Sequence, residues 1–216
     1  MKKILITGGG SGLGFELAKV YAKENNHLIL IGRNKDKLEL AVSEVTENGG
    51  SADYILCDIT DIESIEFLKA TLTKQYHSID CLINNAGIGY FGPIEKLTLD
   101  ELDQMLSINV KGTILMTQTL LPIITEKIIN IISTAGLKGK INEAAYVASK
   151  FAVRGFTESL QKELTIKVTA VYMGGMATPF WDHSTHIKDK SRLKDPSVVA
   201  KEILAKDDGR LEIIID

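Results

Sequence analysis

Seven short apolar stretches, separated by segments of helical periodicity, set the narrowest limit on how this chain can fold. The stretches run 3–7, 28–32, 53–57, 80–84, 128–133, 167–172 and 211–215. Helical patterns lie between them at 12–24, 35–48, 61–76, 99–124, 144–164 and 196–205, with Asn34 placed to cap the second. Several stretches, such as Ile128-Ile129-Asn130-Ile131-Ile132, are continuous rather than alternating, as expected of strands buried on both faces. Regular alternation of strand and helix implies a parallel sheet with helices on both sides. The expected fold class is α/β, a doubly wound parallel sheet of seven strands forming a single domain over 1–216. No repeat, low-complexity tract or linker interrupts it.

The first apolar stretch opens directly into Thr7-Gly8-Gly9-Gly10-Ser11-Gly12-Leu13-Gly14 and then into a helical pattern. Glycine allows positive φ and lets a ligand approach main-chain N–H groups with no Cβ in the way. A helix that follows directs its unpaired amides at an anion, and the pyrophosphate of a dinucleotide is the natural occupant in a Rossmann-type sheet. The spacing is Gly8-x3-Gly12-x-Gly14, not G-x-G-x-x-G, and Phe15 stands where a mononucleotide loop needs lysine. A glycine turn without a nucleotide role is the competing reading of this segment taken alone.

A second constellation lies further on. Ser133 is followed after twelve residues by Tyr146-Val-Ala-Ser-Lys150. At i and i+4 of a helix, the phenol of Tyr146 and the ammonium of Lys150 leave the same face one turn apart. An adjacent positive charge favours the phenolate and is expected to move the Tyr146 pKa down from about 10 toward neutrality, where proton transfer is efficient. Such a pair also occurs by chance on amphipathic helices, so the weight falls on the combination with the glycine turn.

Taken together, these motifs resemble the short-chain dehydrogenase/reductase family along nearly the whole chain. Thr7-Gly8-x3-Gly12-x-Gly14 is similar to the family's cofactor turn, and Asn84-Asn85-Ala86-Gly87 resembles its strand-stabilising N-N-A-G. Asn109 matches the family's helix asparagine and, with Ser133, Tyr146 and Lys150, completes a catalytic tetrad. The resemblance implies an oxidoreductase that transfers a hydride between NADP(H) and a small carbonyl or alcohol substrate. Ser133 and Tyr146 would hold the carbonyl oxygen where charge develops, Tyr146 would act as general acid/base, Lys150 would hold the nicotinamide ribose, and Asn109 would extend a proton relay. Gly8, Ser11, Gly12, Leu13, Gly14, Arg33, Asp58, Ile59, Asn85, Ala86, Gly87, Tyr146, Lys150 and Thr178 are the expected cofactor-binding residues.

Which nicotinamide cofactor binds should be decided after the second strand. Eighteen residues beyond Gly14 come Gly32 and then Arg33, with no carboxylate before Asp36. An acidic residue there suits the ribose hydroxyl of NAD, whereas a guanidinium offers a forked set of donors to the 2′-phosphate of NADP. NADP(H) is therefore expected, with NAD(H) as second choice, against the rival that Arg33 lies over adenine or points to solvent. Ser11 stands where many NADP-using relatives place a basic residue. Asp58 resembles the residue that contacts adenine, unless it caps the following helix.

Composition excludes several other classes. Lysine plus arginine number 25 against 28 acidic residues, so no basic excess points to nucleic acid. The Lys2-Lys3 start leads into an apolar run that ends at Thr7, too short for a signal peptide, and no stretch would span a bilayer. A cytoplasmic protein with Cys57 and Cys81 as reduced thiols is expected. His183 and His186 have metal-like spacing but no further obvious ligand, and no metal site is expected.

Two departures from the family pattern concern the substrate side. Met173 replaces the usual proline after the sixth strand, and the chain ends at Leu211-Glu-Ile-Ile-Ile-Asp216, which suggests an open site or one completed by a partner subunit. The segment 174–195 is expected to cover the substrate. Tyr90, Phe91, Leu137, Phe180 and Trp181 are candidates for an apolar pocket, and Lys138 and Lys140 hint at an anionic substrate, each with ordinary packing or solvation as the rival. The long helices at 99–124 and 144–164 resemble those that pair in family homodimers and homotetramers. A non-catalytic NADP(H)-binding redox sensor or scaffold of the same fold is the alternative function. A sugar-nucleotide epimerase would need a longer region after 178.

Overall fold

Each apolar stretch forms a strand of one sheet in the computed structural model, which describes every residue except His183, Thr185, Lys188, Asp216 and the side chain of Lys190. The strands are β1 (Lys3–Thr7), β2 (His27–Gly32), β3 (Ser51–Leu56), β4 (Ile79–Asn84), β5 (Ile124–Ile131), β6 (Lys167–Met173) and β7 (Glu212–Ile215). They are ordered β3-β2-β1-β4-β5-β6-β7, and every neighbouring pair is parallel. The helices are α1 (Gly12–Ala22), α2 (Lys35–Glu47), α3 (Ile62–Tyr76), α4 (Leu99–Met105), α5 (Thr113–Leu120), α6 (Ala144–Glu163) and α7 (Pro196–Lys206).

Alternate residues of the central strands feed two cores. Ile4, Ile6, Leu28 and Leu30 pack with Leu17, Val45 and Ile203 beneath α1, α2 and α7. Leu5, Ile29 and Ile31 face the other way, with Leu68, Met116 and Leu160 of α3, α5 and α6. Strands covered on both faces cannot alternate with polar residues, which is why the runs are continuous. Among the described residues, no helix is long and apolar enough to cross a membrane.

The expected single helix over 99–124 is four pieces. Between α4 and α5 the chain widens into a π-helical segment, Leu106–Gly112, and after α5 a 3₁₀ turn, Leu121–Ile123, leads straight into β5. Pro122 sits inside that last turn, where a continuing α-helix would lose a hydrogen bond. The expected fifth strand at 128–133 is displaced accordingly: it begins at Ile124 and ends at Ile131, leaving Ser133 in the loop beyond.

A buried polar ladder crosses the second core. Asn84 Nδ2 donates to Thr117 Oγ1 (3.0 Å) and Asn130 Oδ1 (2.9 Å), and Asn130 Nδ2 donates to Thr157 Oγ1 (2.9 Å). The ladder ties β4 and β5 to α5 and α6, the elements that carry the site. Asn130 is fully buried, so Asn130→Ala strips partners from two buried groups and opens a small cavity. The substitution should lower unfolding free energy by about 2 to 4 kcal/mol in urea denaturation, whereas a surface-like loss under about 0.5 kcal/mol would show that the ladder contributes little.

Candidate active site

The chain order of the sheet reverses between β2 and β4 on either side of β1, and crevices in such sheets open at the carboxyl ends of the strands at that point. The loops after β1 and β4 are tied together there. Thr7 Oγ1 accepts from the main-chain N–H of Asn85 and of Ala86 (both 3.0 Å), and Asn85 Nδ2 donates to Thr7 O (3.0 Å) and Gly8 O (3.4 Å). A Cβ on Gly14 would lie 2.3 Å from Gly8 O and 2.6 Å from Asn85 Nδ2, so glycine is what lets α1 start tight under the turn. Gly8 and Gly12 have positive φ, +66° and +54°.

The turn is prepared for an anion. Side chains of Asn34, Asp61, Thr98 and Asp195 cap α2, α3, α4 and α7, but Ser11 makes no such hydrogen bond to α1. The first amides of α1 therefore lack a side-chain acceptor, and they open on the cleft, which an incoming phosphate can fill.

The cleft has a volume of about 630 Å³ and is lined by Gly8, Ser11, Gly12, Leu13, Arg33, Asp58, Ile59, Asn85, Ala86, Gly87, Ser133, Tyr146, Lys150 and Thr178, among others. Gly14 and Asn109 lie outside that lining: Gly14 packs under the turn, and Asn109 stands behind Gly87. Met173 ends β6 and also lines the cleft. Lys37, absent from the sequence-based set, joins Arg33 in the lining. Its position one turn into α2 brings it beside Gly10, and only the packing of α2 on the turn reveals that. Arg33 Nη1 lies 3.8 Å from Asp58 Oδ2. Asp61 caps α3, while Asp58 folds back on its own loop, accepting from Thr60 N (2.9 Å) and Thr60 Oγ1 (2.7 Å). Burial pushes the Asp58 carboxyl up, but the Thr60 hydrogen bonds and the Arg33 charge outweigh it and hold the pKa below the usual value.

Ser133 adopts φ +134°, ψ 155°, a region nearly reserved for glycine that costs on the order of 1–3 kcal/mol and is found where a functional side chain must be aimed. Tyr146 and Lys150 lie on the first two turns of α6, both buried, with Lys150 Nζ 5.7 Å from the Tyr146 ring centre and 3.4 Å from Ile131 O. The π segment sets Asn109 against this pair. Asn109 Oδ1 accepts from Ile88 N (2.8 Å), and Nδ2 donates to Ile88 O (2.8 Å) and Ser149 Oγ (3.1 Å). A Cβ on Gly87 would meet Asn109 Oδ1 at 3.2 Å and Lys150 Nζ at 3.5 Å, so the loop after β4 is pressed onto the lysine.

The electrostatics differ from the expectation for Tyr146. Burial drives its phenol pKa up, the Ser133 hydroxyl opposes this, and the Glu143 carboxylate adds to the rise. Desolvation outweighs any help from Lys150, whose ammonium burial pulls down to about 8. The phenol therefore stays protonated through the physiological range.

The aromatic candidates divide. Phe180 and Trp181 line the cleft. Phe91 stands behind them, with ring centres 5.2 Å from Tyr146, 5.9 Å from Phe180 and 5.0 Å from Trp181. Tyr90 turns its hydroxyl to Gln104 (2.9 Å), and Leu137 packs instead with Ile132, Val153 and Tyr172, since Ser133–Leu137 turns back on the sheet. Lys140 lines the cleft and donates to Thr134 Oγ1 (3.2 Å); Lys138 does not line it. The segment after β6 is closed at its base, where Lys194 N donates to Gly175 O (3.1 Å) and Ala177 N to Lys194 O (2.9 Å). From there Thr178 is brought over Gly12. His183 lies outside the described residues, and His186 pairs with Glu143 rather than with a metal ligand set. Among the described residues, no cluster of three or more His, Cys, Asp or Glu could hold a metal. Cys57 and Cys81 are buried free thiols.

Comparison with known proteins fits this geometry. The short chain dehydrogenase family model matches residues 2–189, and the chain belongs to that family of oxidoreductases. It is 33% identical over 192 residues to a sepiapterin reductase of Chlorobaculum tepidum, covering 82% of this chain and 79% of that protein. It is 31% identical over 210 residues to an uncharacterized oxidoreductase of Staphylococcus aureus, covering 94% and 89%. The fold matches an alcohol dehydrogenase of Thermococcus sibiricus complexed with 5-hydroxy-NADP (TM-score 0.91, 24% identity, 100% and 96% covered). It also matches a variant actinorhodin polyketide ketoreductase with NADPH (TM-score 0.86, 29% identity, 94% and 89% covered).

The lowered pKa of Lys150 has a measurable sign. Its ammonium is present below about pH 8 and lost above it, and the negative charge of a dinucleotide favours the ammonium. With Lys150 at the cofactor, as the family resemblance implies, affinity for a nicotinamide dinucleotide such as NADPH should weaken between pH 7.5 and 9.5 by about 5- to 10-fold, and Lys150→Arg, charged throughout, should flatten the profile. A flat wild-type profile in fluorescence titration would refute the assignment.

Proposed function

We propose that this protein is an NADP(H)-dependent reductase of small carbonyl compounds. The observation that carries the reading is the convergence of Ser133, Tyr146 and Lys150 in one cleft with the uncapped start of α1. A dinucleotide held by the glycine turn and Lys150 would supply the hydride that the carbonyl carbon takes up. Ser133 and Tyr146 hold the carbonyl oxygen, and Tyr146 gives it a proton as the alcohol forms. A protonated phenol beside the carbonyl oxygen is the group placed to give it a proton. Lys150 binds the nicotinamide ribose and returns a proton to Tyr146. Asn109, clamped to Ile88 and Ser149, positions Lys150 and extends the proton path.

Gly8, Ser11, Gly12, Leu13 and Gly14 form the pyrophosphate turn, Arg33 takes the 2′-phosphate with Lys37 beside it, Asp58 and Ile59 receive the adenine, and Asn85, Ala86, Gly87 and Thr178 border the nicotinamide end. The NADP(H) preference rests on these two cations, since similar folds hold either NADP or NAD: a Burkholderia phymatum relative of the fold, 21% identical, is in complex with NAD. The segment 174–195 covers the substrate. Exposed Leu99 and Leu106 on α4 and the π segment, and Phe151 on α6, suit a homodimer or homotetramer. A cytoplasmic setting completes the reading and fits the reduced thiols.

A panel of carbonyl compounds, sepiapterin among them because of the similar reductase, tests the activity by NADPH oxidation. Tyr146→Phe should lower kcat by about 10²- to 10⁴-fold while the NADPH Kd moves less than about twofold. Undiminished kcat would remove Tyr146 from the chemistry, and tight NADPH binding without turnover of any compound would favour a redox sensor. Wild-type protein should bind NADPH at least about 10-fold tighter than NADH, and Arg33→Ala should erase most of that difference. Equal or tighter NADH binding defeats the NADP assignment.

A further inference from the structure

Glu143 is the one carboxylate at the reacting end of the cleft among the described lining residues. It precedes α6 by one residue, three before Tyr146, and it does not cap the helix with its side chain. The residue is only 9% exposed. Its Oε1 lies 3.1 Å from His186 Nε2, and its Oε2 has no hydrogen-bond partner among the described residues. The side chain is largely enclosed yet lines the cleft, where a partner for its free oxygen can enter.

The surroundings are aromatic. The rings of Phe91 and Trp181 lie 5.0 Å apart at 26°, those of Phe91 and His186 5.0 Å apart at 17°, and those of Trp181 and His186 6.4 Å apart at 19°. Of these rings Trp181 lines the cleft, and Phe180, standing edge-on to Trp181 at 79° with ring centres 5.0 Å apart, continues the wall to Tyr146. His186 holds Glu143 Oε1 from the covering segment, which aims the carboxylate while leaving its charge in the pocket. The same charge is near enough to disfavour the Tyr146 phenolate.

We infer that Glu143 is a specificity-determining residue and that the substrate is an aromatic carbonyl compound bearing a cationic nitrogen group, an amine or amidine, which the Glu143 carboxylate binds while the ring packs against Trp181 and Phe180. The inference rests on the reductase reading above and narrows its substrate class. An anionic substrate, hinted at by Lys140, is opposed by it. Lys140 is turned to Thr134, whereas Glu143 presents an unshared oxygen in a drier setting, where a charge acts more strongly. Arg or Lys against a carboxylate is the strong form of hydrogen bond, and a like charge there is repelled.

Three ketones of one shape distinguish the possibilities: meta-aminomethyl, meta-methyl and meta-carboxyl acetophenone. Their Kd values on NADP⁺-loaded protein, by calorimetry, require no turnover, and kcat/KM with NADPH is measured alongside. The cationic ketone should bind about 10-fold or more tighter than the neutral one, and the anionic ketone weakest, as one charge-assisted hydrogen bond predicts. Glu143→Gln should bring the three within about threefold of one another, while His186→Gln, which keeps the carboxylate, should preserve the order. An unchanged order in Glu143→Gln, or no discrimination in the wild type, overturns the inference. Equal collapse in both variants overturns it too, because the pair would then act by holding the covering segment. Discrimination in Kd with no turnover of any ketone would leave Glu143 as the specificity residue and strike down the reductase reading instead.

Discussion

The hydrogen bonds between Thr7 at the end of β1 and Asn85 and Ala86 after β4 are the constraint on which the rest of the site depends. A parallel sheet leaves a crevice where its winding reverses, but the crevice is only as well shaped as the loops that border it. Here one threonine hydroxyl accepts two main-chain donors, and one asparagine amide reaches back to the carbonyls of the glycine turn. The glycine at 14 then lets α1 begin with its amides open to the cleft. The loop held by this clamp runs on through Gly87 to Ile88, where Asn109 takes it up.

The second element of order is the π segment. One wider turn between α4 and α5 carries the Asn109 side chain to Ile88 and Ser149. π-Bulges of this kind recur at functional sites because they re-aim a side chain without ending the helix. The buried ladder of Asn84, Asn130, Thr117 and Thr157 fixes the same elements from below. Tyr146 and Lys150 are consequently held by packing and polar contacts on a rigid helix, as the proton transfer proposed for Tyr146 would require. The burial that provides this rigidity also sets their protonation, raising the phenol and lowering the ammonium.

Much of the fold was legible in the residues. Continuous Val/Ile/Leu runs mark the interior strands β1, β2, β4, β5 and β6, because strands buried on both faces cannot be patterned otherwise, while the edge strands β3 and β7, partly exposed, show through the regular alternation with helices. The breaks in the helix expected over 99–124 leave little mark in the sequence, because π and α turns share nearly the same apolar spacing and Pro122, although a breaker, lies only two residues before β5. In the cleft, short local motifs located the glycine turn, Asn85 to Gly87, Ser133, Tyr146 and Lys150. Nothing local marks Lys37 and Glu143, because each is an ordinary charged residue at a helix start until the neighbouring loop is packed against it.

The sequence by itself determined the layered α/β architecture, the anion-receiving turn and the i, i+4 pairing of Tyr146 with Lys150, since all three follow from backbone period and local stereochemistry. Tertiary structure alone decided how those groups titrate and what faces them. Desolvation is a property of the assembled cleft, so a phenol that looks acidified by its neighbouring lysine in the sequence is instead kept protonated. Likewise, Glu143 and His186, 43 residues apart, form a pair only because the segment after β6 folds over the start of α6.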